Sequence, residues 1–135
     1  MAERPQLANN QSDLMITFIY YKDLQKGIDF YQNTLGFSLA IDQGWVKIYQ
    51  ISKSGYLGIV DEAKGMQNWY ADKTVQICIR VPEVQPWYDY CKSVSLPNQS
   101  DLFTNDTLKI KAFVCDDPEG YQVEFQESTA NDLLL

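Results

Sequence analysis

Apolar and polar residues alternate along this chain with two different periods. Over 15–21 the sequence MITFIYY is dense in β-branched and aromatic residues and stops at Lys22-Asp23, which predicts a strand. Directly after it, Leu24, Ile28, Tyr31 and Leu35 recur at i, i+4, i+7 and i+11, one apolar stripe of a helix, with Asp23 suited to the N-cap and Gly36 to the stop. Three more strands are predicted over 37–42, 45–51 and 56–60, separated by Gln43-Gly44 and by the turn-forming Ser52-Lys53-Ser54-Gly55. The periodicity then lapses over 62–72, a connection for which Trp69 and Tyr70 are the expected anchors.

A second cycle follows. VQICIRV over 75–81 reads as a strand and 83–94 as a helix that tolerates Pro86 in its first turn. A polar loop over 97–101, a short strand near 102–104, a strand over 108–115, the tight turn Asp116-Asp117-Pro118-Glu119-Gly120 and a strand over 121–126 complete it. A shift of sixty residues lays Asp23-Leu24-Gln25 on Glu83-Val84-Gln85 and Thr17-Phe18-Ile19 on Ile77-Cys78-Ile79. Both cycles have the order βαβββ. Two units are too few for a solenoid, so a pseudo-twofold α+β domain with one shared core is expected over 13–127, with modules at 14–61 and 73–127, a linker at 62–72, and flexible tails at 1–12 and 128–135.

Composition narrows what such a domain can do. At 135 residues, 45% hydrophobic and 13% aromatic, the chain can bury an ordinary core. Eleven basic against 18 acidic residues give a net charge of −7, which disfavours nucleic acid and anionic membranes as partners. Without an apolar leader in 1–12 or a run long enough to span a bilayer, a cytoplasmic protein is expected. Three cysteines without CxxC spacing point to reduced thiols. The absence of histidine excludes a Ser-His-Asp triad, a Cys-His pair and any imidazole-dependent metal site, and it leaves a nearby lysine as the only help available to activate Cys78 or Cys115 as a nucleophile.

The two βαβββ units, the segment DLQKGIDFYQNTLGF after the first strand and the closing DDPEGYQVEFQE resemble the vicinal oxygen chelate superfamily, which includes glyoxalase I, extradiol dioxygenases and bleomycin-resistance proteins. The resemblance spans about 14–127 and implies paired curved sheets, each a cup with its helix outside. It also implies a homodimer and, in metal-dependent members, ligands on the first and last strands of each module. The matching positions here are Ile16, Gly58, Gln76 and Glu124, of which only Gln76 and Glu124 carry oxygen donors. No cofactor is therefore expected; the alternative is a divalent ion held weakly by Gln76 and Glu124.

Strand alternation assigns faces. If Thr17, Ile19 and Tyr21 lie under the helix, Phe18 and Tyr20 face the cup with Ile16. The same logic places Trp45, Lys47 and Tyr49, then Gln76, Cys78 and Arg80, then Lys111, Phe113 and Cys115 inside, together with Glu124. These residues either line a ligand site for a planar or anionic molecule or fill the sheet interior, with the basic groups paired to surface acids. Glu124 could serve as a general base with Tyr20 as hydrogen-bond donor to an enolate, as a structural partner of Arg80, or as a metal ligand. The leading expectation is a metal-independent small-molecule binding protein. The alternatives are a glyoxalase-like lyase or isomerase using Glu124, and an interaction module with closed cups that docks through the apolar end Leu133-Leu134-Leu135.

Overall fold

The computed structural model describes residues 3–5 and 14–130. Most of the expected N-terminal tail and the apolar C-terminal end, 131–135, lie outside the described residues.

Each half begins with a strand that runs into a helix and returns as three strands. The first comprises β1 (Met15–Tyr21), α1 (Leu24–Ile28) with a π-wound continuation (Asp29–Thr34), β2 (Ser38–Asp42), β3 (Val46–Gln50) and β4 (Gly55–Asp61). The second comprises β5 (Gln76–Arg80), α2 (Val84–Ser93), β6 (Phe103–Asn105), β7 (Ile110–Asp116) and β8 (Gln122–Ser128). The sheets have the equivalent orders β1-β4-β3-β2 and β5-β8-β7-β6. In each, the first strand pairs parallel with the last and the other pairs are antiparallel. The βαβββ repeat is thus present twice.

Three local expectations are corrected. The first helix is not α-helical throughout: from Asp29 it widens to i→i+5 bonding, as in Leu35 N–H to Phe30 C=O at 2.9 Å, and this turns both Phe30 and Tyr31 into the core, edge to face at 4.8 Å. The Phe37 N–H then bonds the Tyr31 carbonyl at 3.0 Å around Gly36, whose φ of 79° only glycine adopts freely. At the other end β8 runs to Ser128, the first residue of the expected tail, and Thr129 N–H bonds Lys109 C=O at 2.9 Å. In the linker, Trp69 is held between the ammonium groups of Lys22 and Lys73, 4.0 and 3.8 Å from its ring, whereas Tyr70 is 65% exposed and anchors nothing by burial.

One core joins the halves. The helix-side residues Ile19, Tyr21, Tyr31 and Ile59 of the first module belong to the same cluster as Ile79, Val84, Phe113 and Phe125 of the second. The turn between β7 and β8 adds polar links. Asp117, 2% exposed, accepts hydrogen bonds from the Tyr21 and Tyr31 hydroxyls through Oδ2 and from the Glu119 and Tyr121 N–H groups through Oδ1. The Tyr121 hydroxyl bonds the N–H and C=O of Tyr20, at 3.0 and 3.1 Å. Glu119 accepts from the N–H groups of Lys22 and Asp23 at 2.6 and 2.7 Å, closing the entry to α1 from the opposite module.

Candidate functional site

The face of each sheet turned away from its helix has a different chemistry. Register places Phe18 beside Gly58, and Tyr20 beside Val60, which pairs with Val46; Gly58 pairs with Ile48. Val46, Ile48 and Val60 are buried there in a second apolar cluster with Ile16, Tyr20, Ile41 and Tyr56. Phe18, 46% exposed, lays its ring across Gly58, where any β-carbon would collide with it. The first open face is apolar.

On the second sheet the equivalent face is a ladder of polar pairs: Gln76 beside Gln122, Cys78 beside Glu124, and Arg80 beside Gln126. Gln76 Nε2 donates to Gln122 Oε1 at 2.7 Å and to Glu124 Oε1 at 3.1 Å. Gln126 Nε2 donates to Glu124 Oε2 at 2.7 Å, while Gln126 Oε1 receives Arg80 Nε and Nη2 at 2.9 and 2.6 Å. Glu124 is therefore linked to Arg80 through an intervening amide. Burial and the Glu124 charge raise the pKa of Cys78, and Arg80 opposes them.

Gln76 borders two hollows. One, of about 490 Å³, is walled by 71–75 with Gly120 and Gln122. The other, of about 290 Å³, lies between β5 and the starts of β1 and β4. Both approach the volumes of small-molecule sites. A third cleft, about 380 Å³ between the helix ends, is lined by Leu35, Pro86, Trp87 and Tyr90, and the Tyr90 hydroxyl is already bonded to the Thr34 carbonyl at 2.5 Å.

Of the expected site residues, Gln76, Arg80 and Glu124 come together in this ladder, and Phe18 and Tyr20 lie on the open face of the first sheet. The face expected for β3 and β7 is reversed. Tyr49 is fully buried on the helix side, where its hydroxyl donates to Gln32 at 3.0 Å and burial pushes its pKa up to about 12. Lys47, two residues away on the same face, pairs with Asp42 at 2.6 Å. Trp45 precedes β3 and is partly exposed. Phe113 is buried in the shared core, stacked on Phe125 at 5.3 Å, and Cys115 is buried beside it on that side, its thiol pushed up to about 12. Lys111 shares the Phe113 side, opposite Glu127. Both strands lie inside their sheets with apolar residues on both faces, so alternation alone admits two phases, and pairing with β4 and β8 selects the one not expected. Gln122 and Gln126 were not anticipated; the period-two run Gln122, Glu124, Gln126 in YQVEFQE is the signal that places them beside Glu124.

The four positions at which the fold family sets metal ligands do not fit an ion. Ile16 and Gly58 offer no donor, and Gln76 turns its amide N–H groups, not its oxygen, toward the Glu124 carboxylate. Among the described residues no three His, Cys, Asp or Glu side chains gather into a possible metal cluster.

The profile of the glyoxalase/bleomycin resistance protein/dioxygenase superfamily matches residues 14–125, and the chain belongs to that superfamily. A comparison with curated proteins finds no match. Among solved structures, a lactoylglutathione lyase from Agrobacterium tumefaciens is 17% identical with a TM-score of 0.73, over 92% of this chain and 99% of that one. TioX from Micromonospora sp. ML1 is 15% identical with a TM-score of 0.70, over 86% and 98%. The bleomycin resistance determinant encoded on transposon Tn5 is 15% identical with a TM-score of 0.68, over 87% and 98%. At these identities the likeness establishes the fold. Among the described residues no helix is long and apolar enough to cross a membrane.

Proposed function

We propose that this chain binds a small planar organic molecule without a metal, as a homodimer, using the open face of the second sheet for polar recognition. The observation that carries the reading is the ladder itself: five side chains, Gln76, Arg80, Gln122, Glu124 and Gln126, are ordered into one hydrogen-bonded row beside a hollow of about 490 Å³. Apolar surface with a few convergent polar groups is the usual make-up of a ligand site. Phe18 and its neighbours on the first sheet supply apolar surface, and the mismatched donor set supports metal independence.

Native mass spectrometry with elemental analysis on freshly purified protein tests this reading. The expected result is a metal-free species that retains an organic adduct, released by Arg80→Ala or Glu124→Ala. A near-stoichiometric divalent ion would overturn it. Turnover of an oxoacid or thiohemiacetal that Glu124→Gln abolishes would instead make the protein a lyase or isomerase with Glu124 as base.

A further inference from the structure

The hydrogen-bond directions along the ladder specify what is left to offer a ligand. Glu124 is an acceptor when ionised and Arg80 has only donors, so the amides between and beside them have one satisfactory orientation. Gln126 must present its oxygen to Arg80 and its nitrogen to Glu124. Gln76 must present its nitrogen to Glu124, and its second N–H then reaches Gln122 Oε1. Both hydrogens of Gln76 Nε2 are thereby used. Among the described residues, nothing donates to Gln76 Oε1 and nothing accepts from Gln122 Nε2. Two amides joined by a 2.7 Å bond are left with one acceptor oxygen and one NH2 group carrying two donors, and both residues line the polar hollow.

The charges near that hollow are committed or unsuited to an anion. Lys73 donates to the Tyr70 carbonyl and places its ammonium 3.8 Å from the Trp69 ring and 4.6 Å from that of Tyr121. Arg80 is bound twice to Gln126. Asp116 and Glu124 share the face of Gln122, the first by cross-strand pairing and the second by alternation along β8. Lys47 and Lys111 lie on the opposite faces of their sheets.

We propose that the ligand of this site carries a carboxamide or lactam edge, its C=O accepting from Gln122 Nε2 and its N–H donating to Gln76 Oε1. The inference rests on the binding function proposed above and names the ligand's polar group. Three probes test it by calorimetric or NMR titration: quinolin-2-one, N-methylquinolin-2-one and 2-naphthoate. The lactam is expected to bind about tenfold or more tightly than its N-methyl derivative, because methylation leaves Gln76 Oε1 without a donor. Gln122→Glu keeps an oxygen for the Gln76 bond and removes the donors offered to the ligand C=O; it should weaken the lactam and its N-methyl derivative alike, by about tenfold, while the preference set by Gln76 Oε1 persists. Equal affinity for the lactam and its N-methyl derivative, or an unchanged lactam affinity in Gln122→Glu, would overturn the assignment. Tighter binding of naphthoate, lost in Arg80→Ala, would overturn the amide edge and leave the binding function standing. No binding of any probe at about 1 mM, together with no organic adduct on the purified protein, would overturn both.

Discussion

Asp117 shows how much one side chain can carry in this fold. Burial raises its pKa above the usual carboxylate range, against four hydrogen bonds that favour the charged form. Burial also raises the pKa values of Tyr21 and Tyr31, so both phenols remain donors. Removing the carboxyl would strand two phenols and two backbone N–H groups, and Asp117→Ala is expected to cost about 3–5 kcal/mol in urea unfolding. Asp117→Asn retains an oxygen for the N–H pair and should cost less. The two variants also separate charge from hydrogen bonding. Because the folded state binds the Asp117 proton more tightly than the unfolded chain, this group's contribution to stability is complete below the ordinary pKa of 3.8 and declines as pH rises through the raised value. The stability advantage of the native protein over Asp117→Asn should therefore shrink from pH 4 upward across that window. An advantage that grows with pH would contradict burial as the dominant cause.

At the scale of elements, α2 tests whether its end is held by its own sequence or by a strand. Its N-cap residue, Glu83, makes no side-chain cap, and the Val84 N–H is received instead by Glu127 of β8 at 2.9 Å. Glu127→Ala is expected to cost about 1 kcal/mol, to lower the melting temperature by a few degrees, and to speed hydrogen exchange at the Val84 amide. Glu127→Gln, which keeps the acceptor, should recover most of the loss. Such distant caps also explain what was legible in the chain. Both helices and all eight strands could be read from periodicity, and β5 and β8 could be phased because polar residues mark one face, as Gln76, Cys78 and Arg80 do on β5, whereas β1 was phased only by setting Thr17, Ile19 and Tyr21 under the helix. On β3 and β7 both faces are apolar, so Tyr49 and Phe113 could not be told from Val46 and Ala112 without their partners across the sheet. The π winding of 29–34 was hidden for a related reason: it depends on room in the core for both Phe30 and Tyr31, which no stripe along one helix reveals. Asp117 was legible as a turn residue but not as the buried acceptor of two phenols, since those phenols arrive from the other module.

For the whole molecule, the remaining question is what lies over the open faces. Phe18 on the first and Phe103 on the second are 46% and 40% exposed, and register places Phe103 opposite Ala112, on the same face as Gln126 and Glu124. Apolar rings on the faces that carry the proposed site are the surface the proposed dimer would cover. Against association stands the net charge of −7 on each chain, a repulsion that acts over about 10 Å at 0.1 M salt and over less at higher ionic strength. These two terms respond oppositely to salt: screening weakens the repulsion, while apolar burial persists. Sedimentation is therefore expected to show a species of twice 15.6 kDa whose dissociation constant falls as salt rises from about 0.05 to about 0.3 M. Phe18→Ser should shift the equilibrium toward the single chain at every salt concentration. A 15.6 kDa species at high protein concentration and high salt would rule out the dimer and leave the polar ladder to act within one chain. Dimerisation that weakens steeply with salt would show instead that complementary charges, not the apolar faces, bring the chains together.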